Sequence, residues 1–359
     1  MSGKSPGRWF CYVLVLSMVF AVFFGQPFSV LGASDRELVV VSWGGKWTEG
    51  ERKAFYEPFE KEEGVKVIDV TSIGSERFAK LRAQIESGHL EWDVTSCDGI
   101  YRVLNFKGLL EKIDYTIVTD TQNIMKECMG EYYVGGVVDG VCLAYNKDVF
   151  PEGSHPKSWA DFWNVKKYPG PRTLPNYGGG QFQPIAFALL ADGVSRDKLI
   201  PFDYERAFKK LDEIKPHITV WWTSGSHYQQ ILRDEEVVLG PGWSGRILDL
   251  GNKGFPIDIE WNEGYGYFSV WAVPKGTKNR ELAMRFLNST LDPQRQAVFT
   301  KEIAFGPTNT KALDYLDPEE ITSLASYPAN WAKMFTLDMN YIAKNLTEIA
   351  ERWNKWIAK

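Results

Sequence analysis

Apolar and polar residues repeat with two different periods along most of the chain. Short apolar runs such as "LVVV", "VKVIDV" and "WDVTS" predict strands. The segments between them have helical spacing and predict helices over residues 48–63 and 76–87, each ended by a glycine. Thr48 and Glu51 have the spacing of a capping box for the first helix. The regular alternation of strands and helices predicts an α/β fold whose parallel sheets carry helices on both faces.

A second unit of the same kind follows the apolar segment "GVVDGVCLAYN". It contains the loop "LPNYGGGQFQP", predicted helices near residues 185–191 and 204–214, and the strand ends "TVWWTSGSH" and "EVVLGPGWSGRI". The later run "IDIEWNEGYGYFSVWAVPKGT" predicts two strands around a Gly-Tyr-Gly break. No flexible linker separates the two units, so strand-like crossings that act as a hinge are expected.

The predicted strand ends share a composition that suits ligand binding. Three of them read "SWGGKW", "TSIGS" and "TSCDG", and ligands of such sheets bind at the carboxyl ends of the strands. Aromatic residues recur there, among them Trp43, Trp243 and Tyr267. One such ring alone is more often packing than recognition, but several on converging loops favour a binding cleft.

The N-terminus predicts export. Lys4 and Arg8 precede an apolar run, and small residues follow around Ala33, which is the pattern of a signal peptide over residues 1–33. An uncleaved anchor is the alternative, because the apolar run is long for a signal. The mature protein is expected to be periplasmic.

Charge and cysteine usage narrow the function further. The 359 residues carry a formal net charge of −5 with no basic stripe, which argues against nucleic acid as a partner. Outside the leader, Cys97, Cys128 and Cys142 make an odd count for an exported protein. Cys128 and Cys142 flank an apparent hairpin, and either a disulfide or two reduced, buried thiols fit the pattern.

The sequence contains no strong catalytic motif. Its four histidines lack metal-ligand spacing, and the phosphate-binding Gly-Lys-Ser/Thr loop is absent. Ser244 in "GWSGR" has the wrong offset for a nucleophile elbow. Asp93 and Asp98 are interpreted as a strand residue and a loop residue rather than a glycosidase pair. We therefore expect no metal, no cofactor and no enzyme activity; a secreted enzyme using the same cleft is the competing class.

The chain resembles the periplasmic solute-binding proteins of ABC importers, specifically the spermidine/putrescine-binding type (extracellular solute-binding family 1). The resemblance runs from about Glu37 to the C-terminus and rests on "SWGGKWTEGERKAFYEPFEKEEGVKV", "FAKLRAQIESGHLEWDVTSCDG", "LAYNKDVF", "VVLGPGWSGRI" and "WAVPKGTKNRELAMRFLNSTLDPQRQAVF". It implies a type II two-lobed fold, with two doubly wound sheets joined by crossing strands. It also implies a monomer that captures a small solute and presents it to a membrane permease.

The resemblance also gives the expected lobes. Lobe 1 is placed at residues 34–142 plus 269–310, and lobe 2 at residues 143–268 plus 311–359. The crossings are placed near residues 143–146, 262–268 and 311–315.

The ligand residues implied by the resemblance match only in part. Trp43 and Gly44 match the aromatic-bearing first loop of the family, and Trp243 and Tyr267 match aromatic walls. Ser269 stands where the polyamine binders have an aspartate, and the loop "YGGGQFQP" lacks their two acids. A bound polyamine dication would lack the carboxylates that hold it in the polyamine binders. A buried cation needs either an anion or an aromatic face. Polyamines are therefore disfavoured.

The remaining charged residues suggest a different solute. Arg246 can fork onto a carboxylate, assisted by Lys46 and the amides of residues 178–180; a place on a surface helix is the alternative for Arg246. Asp98, the only acid at a matching loop, would suit an amine together with the tryptophans. We predict a zwitterionic or carboxylated, amino-acid-like solute, with a polyamine or quaternary amine as the alternative. Tyr177 and Trp331 complete the predicted site.

Overall fold

Strands and helices alternate along the chain, as the hydrophobic pattern predicts. The structure, a computed structural model, describes residues 36–72, 74–97, 99–151, 153–178 and 180–359. The predicted signal peptide, residues 1–33, and its cleavage site near Ala33 lie outside the described residues. Within the described ranges no helix has the length and apolar character needed to cross a membrane.

Most strands follow the predicted apolar runs, whereas Arg172–Pro175 and Gly306–Pro307 are strands that no such run predicts. Their bounds are β1 (Glu37–Ser42), β2 (Lys66–Thr71), β3 (Val94–Cys97), β4 (Val134–Asn146), β5 (Arg172–Pro175), β6 (Ile218–Trp222), β7 (Leu239–Trp243), β8 (Ile257–Ala272) and β9 (Gly306–Pro307).

The α-helices alternate with these strands over most of the chain. Their bounds are α1 (Gly45–Glu51), α2 (Glu57–Glu63), α3 (Gly74–Ser87), α4 (Ile100–Phe106), α5 (Trp159–Trp163), α6 (Phe182–Ala191), α7 (Tyr204–Ile214), α8 (Gly225–Arg233), α9 (Ser244–Asn252), α10 (Arg280–Ser289), α11 (Pro293–Ile303), α12 (Pro318–Ser323), α13 (Pro328–Trp331) and α14 (Met339–Ile357). A π-helical segment, Arg52–Tyr56, joins α1 to α2. Gly64 ends α2 in the left-handed conformation, as its position after the helix predicts.

Two parallel three-stranded groups make up the halves of the sheet. The strand order is β2-β1-β3-β8-β4-β7-β5-β6, with β9 paired to β4. β1 pairs in parallel with β2 and β3, and β5 pairs in parallel with β6 and β7. The strands β4 and β8 run antiparallel to each other between these groups. The predicted α/β class with crossing strands is confirmed, and the two predicted sheets are joined through β4 and β8 into one hydrogen-bonded sheet.

The two halves share one hydrogen-bonded sheet because the crossing strands are long. β4 pairs with β8 along most of its length, and its second half also pairs with β7. The end of β8 pairs with β3 in the other half. The link between the halves is therefore a two-stranded ribbon rather than a loose tether.

The predicted break in the Gly-Tyr-Gly segment is wrong, since β8 continues through it as one strand. The glycines serve close packing there. A Cβ at Gly266 would lie 2.7 Å from the Trp331 ring, and one at Gly264 would lie 2.6 Å from the Cys142 sulfur. Local sequence cannot distinguish a glycine needed for a turn from one needed for contact.

The predicted capping box is also wrong. The first helix begins at Gly45, three residues earlier than the pattern indicates, so Glu51 lies at the end of α1 and not in its first turn. Thr48 Oγ1 instead accepts a hydrogen bond from the backbone N–H of Gly44 at 3.0 Å.

The segment after β9 returns to the ribbon later than residues 311–315. Thr310–Tyr315 forms a 3-10 helix, and Ala312 packs with Ala297 of α11. Phe335 then pairs with Tyr265 of β8, its N–H donating to the Gly264 carbonyl at 2.8 Å. The lobe boundaries given above remain a prediction.

Candidate functional site

The first predicted loop places Trp43 at the carboxyl end of β1. Gly44 follows it with φ 79° and ψ 177°, a conformation open essentially to glycine alone. A Cβ at Gly44 would lie 2.8 Å from Thr71 Oγ1, so the strand end of β2 also excludes a side chain there. The ring of Trp43 packs edge-on against Trp47, with centroids 4.7 Å apart.

Arg77 supports this loop from beneath. Its buried guanidinium donates hydrogen bonds to the carbonyl oxygens of Ser42, Ser72 and Ser96, which mark the ends of β1, β2 and β3. The guanidinium carbon lies 4.6 Å from the centroid of the Trp43 ring. One arginine thus ties three strand ends together and packs against the predicted aromatic wall. Sequence reasoning missed Arg77, because a single arginine in an amphipathic helix carries no local signal.

A second group of rings lies at the end of β7. Trp243 packs against Tyr177 and Trp222, with centroids 5.1 Å and 4.8 Å away. Tyr177 stacks on Trp222 at 5.2 Å with an interplanar angle of 17°. The structure therefore brings together the predicted residues Tyr177 and Trp243, and Trp222 fixes both.

Asp139, in the middle of β4, is a buried carboxyl group that the sequence analysis did not single out. It accepts hydrogen bonds from the Ser244 hydroxyl, from the Tyr267 hydroxyl at 2.9 Å and from the Gly140 N–H at 2.7 Å. The backbone of Gly245 also donates to it. Burial outweighs these bonds and raises the pKa of Asp139 to about 6. A lone aspartate within the apolar run "GVVDGV" was the available signal.

Tyr267 and Trp243 face the same side of the β4–β8 ribbon as this carboxylate. Tyr267 is the β8 partner of Asp139, and Trp243 is the β7 partner of Val141, two residues further along β4. Alternate residues of a strand share a face. The ribbon thus joins the carboxylate, the phenol and the indole in one polar and aromatic cluster.

Arg246 lies in the first turn of α9, beside this cluster, and is half-buried. Its Nη1 donates to Gln229 Oε1 at 2.9 Å. Within the described ranges, its guanidinium has no carboxylate within ion-pair distance. Burial lowers the pKa of Arg246, while Tyr267, Asp139 and Asp249 oppose that shift. A partly desolvated guanidinium that has no carboxylate ion-pair partner among the described residues therefore lies at this strand end.

The other predicted residues differ in their relation to this cluster. Ser269 is buried, follows Tyr267 by two residues on the same face of β8, and lines a small cavity together with Trp43. Trp331 packs on Phe268, with centroids 5.2 Å apart, on the opposite face of the ribbon from Tyr267. Asp98 and Gly179 lie outside the described residues.

The groups predicted to assist Arg246, namely Lys46 and the backbone of the 178–180 loop, form contacts within the protein. The Gly178 carbonyl accepts from Arg102 at 3.1 Å, and the Gly180 amide donates to the Tyr177 carbonyl at 3.1 Å. Lys46 forms an ion pair with Asp249, the two atoms lying 2.7 Å apart. The amide of Gly180 is thus used within its own turn.

The three cysteines Cys97, Cys128 and Cys142 are free and buried. Of the two alternatives for Cys128 and Cys142, the structure therefore has the reduced one. Cys142 Sγ lies 3.7 Å from Met334 Sδ. No cluster of three or more potential metal ligands occurs among the residues that the structure describes.

The α/β fold has two halves joined by a ribbon, and aromatic rings lie at its strand ends. This arrangement is that of a solute-binding protein. Residues 54–332 match the family described as bacterial extracellular solute-binding protein. The chain belongs to this family, which confirms the predicted resemblance.

Three proteins illustrate the relationship. The γ-aminobutyric acid-binding protein of Pseudomonas aeruginosa is 32% identical over 344 residues, covering 94% of this chain and 95% of that protein. The spermidine/putrescine-binding periplasmic protein of Escherichia coli K12 is 27% identical, covering 79% of this chain and 81% of that protein. The solved structure of the Atu4243-GABA receptor is 35% identical, has a TM-score of 0.80, and covers 89% of this chain and 97% of that chain.

Proposed function

We propose that this protein binds a small amino carboxylate of the γ-aminobutyrate class outside the cytoplasm and delivers it unchanged to an ABC permease. One observation carries the proposal. Arg246, half-buried beside Trp243 and Tyr267, has no carboxylate partner within ion-pair distance among the described residues. A ligand carboxylate would supply the missing anion.

The geometry of Arg246 suits a carboxylate. A guanidinium has five N–H donors in a rigid fork, and the observed bond from Nη1 to Gln229 leaves others for a ligand. An anion that pairs with this cation also offsets the cost of its partial burial. A diamine in the same place would meet a like charge and would be repelled.

The ammonium end of the ligand requires a different partner. Asp139 is the carboxylate of the cluster, but its two oxygens already accept four hydrogen bonds, from Ser244, Tyr267, Gly140 and Gly245. We assign the ammonium instead to the faces of Trp43 and Trp243, by cation–π attraction. Asp98, as predicted from the sequence, would add the anion.

The relatives support this solute class over a polyamine. Both the γ-aminobutyric acid-binding protein of Pseudomonas aeruginosa and the Atu4243-GABA receptor are more than 30% identical to this chain, whereas the polyamine-binding relative is 27% identical. γ-Aminobutyrate carries one carboxylate and one ammonium, which matches one arginine and a set of aromatic faces.

The proposed cycle contains no chemical step. A periplasmic monomer, exported with removal of residues 1–33, takes up solute in the open form. Closure of the lobes about the β4–β8 ribbon is then selected, because only the closed form makes both sets of ligand contacts. The closed form is presented to the permease.

Isothermal titration calorimetry with two ligands of nearly equal length tests the proposal. γ-Aminobutyrate has a carboxylate where putrescine has one of its two terminal CH2–NH3⁺ groups. We expect γ-aminobutyrate to bind at least about tenfold more tightly, a difference of about 1.4 kcal/mol. Tighter binding of putrescine would refute the proposal, and so would recovery of a chemically altered solute by NMR.

A pair of arginine variants assigns the site. Arg246→Ala should weaken γ-aminobutyrate binding by roughly a hundredfold, since a charge-assisted hydrogen-bond pair to a buried carboxylate contributes about 2–3 kcal/mol. Arg233→Ala is the matched control, because Arg233 is exposed at the end of α8 and contacts Gln230. Equal effects of the two substitutions would place the carboxylate elsewhere.

A further inference from the structure

Gln229 connects Arg246 to a second charged residue. Its Oε1 accepts from Arg246 Nη1 at 2.9 Å, and its Nε2 donates to Asp249 Oδ2 at 3.1 Å and to the Arg246 carbonyl at 3.2 Å. A guanidinium only donates, and a carboxylate and a carbonyl only accept. All three partners therefore require the same orientation of the Gln229 amide.

Asp249 in turn forms ion pairs with two lysines. Its Oδ1 lies 2.7 Å from Lys46 Nζ on α1, and its Oδ2 lies 2.7 Å from the Nζ of Lys253, the residue directly after α9. Partial burial acts to raise the pKa of Asp249, but hydrogen bonds from Lys253 and Lys46 outweigh it and hold the pKa below its usual range. Asp249 is therefore negatively charged at neutral pH.

The contact with Lys46 joins opposite halves of the sheet. Lys46 follows β1, which lies in the predicted lobe 1, whereas Asp249 follows β7, which lies in the predicted lobe 2. Lys253 directly follows the helix that carries Asp249, so its contact is independent of lobe closure. Arg246 is three residues before Asp249 on that helix and thus on a neighbouring position of the same face.

We propose that Lys46, Asp249 and Gln229 form a relay that couples closure of the lobes to the orientation of Arg246. This inference rests on the proposed function, in which Arg246 binds the ligand carboxylate. In the closed form Lys46 forms an ion pair with Asp249, and Gln229 holds the Arg246 guanidinium toward the polar and aromatic cluster around Asp139. When the lobes open, Lys46 withdraws and Asp249 becomes the competing partner of Arg246. Closure thus releases Arg246 to the ligand, and Gln229 and Asp249 act as positioning residues.

The two lysines provide a matched experiment. Lys46 and Lys253 have nearly equal side-chain exposure, 54% and 56%, and the same distance to the Asp249 carboxylate. With γ-aminobutyrate as the probe in stopped-flow fluorescence, Lys46→Ala should raise the dissociation rate roughly two- to fivefold, the scale of a partly exposed ion pair. Lys253→Ala should leave that rate nearly unchanged. Equal effects, or no effect of Lys46→Ala, would overturn the relay.

Gln229→Ala tests the positioning step. It should lower the affinity for γ-aminobutyrate by about tenfold while sparing n-butylamine, which has no carboxylate to bind. A purely structural role would lower both affinities together with the thermal unfolding midpoint, and that result would remove Gln229 from the relay.

A ligand-free measurement separates this inference from the proposed function. A carbodiimide joins an amine to a carboxylate only when the two are in contact, and mass spectrometry identifies the linked peptides. In the protein without added solute we expect a rapid link from Asp249 to Lys253 and a slower link to Lys46, because the lobes then close only part of the time and the irreversible linkage traps the closed form. A Lys253 link without a Lys46 link would overturn the relay even if γ-aminobutyrate binds. If the Lys46 link forms and γ-aminobutyrate does not bind, the failure lies in the proposed function.

Discussion

Replacement of Glu51 by glutamine should change how the stability of this protein depends on pH. Glu51 is completely buried at the end of α1. It accepts hydrogen bonds from the Ser42 hydroxyl, from Trp47 Nε1 at 2.6 Å and from the Tyr56 hydroxyl at 2.7 Å. Burial nevertheless raises the pKa of Glu51 from 4.5 to about 7, because the charged form is desolvated.

The sign of the effect follows from proton linkage. Between the unfolded and folded pKa values, the folded protein binds more protons at Glu51 than the unfolded chain does. The stabilisation is therefore complete below about pH 4.5 and is lost as the pH rises through about 7. Integration between pH 5 and pH 8 gives a loss of about 2.5 kcal/mol in the free energy of unfolding from this one group.

Urea unfolding at a series of pH values measures this quantity. Glu51→Gln keeps the shape of a protonated carboxyl group but cannot ionise, so it should gain about 2.5 kcal/mol relative to the wild type between pH 5 and pH 8. Glu49→Gln, an exposed position on the same helix, is the control and should show a constant difference. A constant difference for Glu51→Gln, or a difference of opposite sign, would refute the assignment of a buried carboxyl group with a raised pKa.

Three further substitutions test the loops at the strand ends. Arg77→Met should lower the free energy of unfolding by about 3 kcal/mol, because the buried carbonyl groups at three strand ends lose their hydrogen-bond donor. Urea unfolding measures this loss. A loss below about 1 kcal/mol would show that the contacts are weak. Gly44→Ala should cost about 1–3 kcal/mol in the same assay, since its backbone conformation and the contact with Thr71 both exclude a Cβ. Gly45→Ala, which meets no atom within 4 Å, is the control and should cost less. Trp243→Ala should weaken γ-aminobutyrate binding at least tenfold by calorimetry, and unchanged affinity would exclude Trp243 from the aromatic wall.

The sequence alone determined the fold class and the part of the fold where the site would be sought. Alternation of apolar runs with helical segments is a local property, so β1, β2 and α7 could be located by reading a few residues at a time. The strand ends follow directly from the strands, so the sequence also predicts that Trp43 and Trp243 lie at the ligand-binding edge of the sheet. Its motifs are enough to identify the family.

Only the tertiary structure decided which residues share a face and which charges are buried. Trp331 was predicted to join Tyr267, but it lies on the opposite face of the ribbon, because the pairing of β4 with β8 and the return of the chain near Phe335 fix that placement. Arg77 carries no local signal, and the only local signal of Asp139 is its position within the apolar run "GVVDGV". Their burial and their partners come from segments that are distant in the sequence, and desolvation depends on all of those segments at once. The number and direction of such contacts are set by the packing of the whole fold, so no local pattern encodes them.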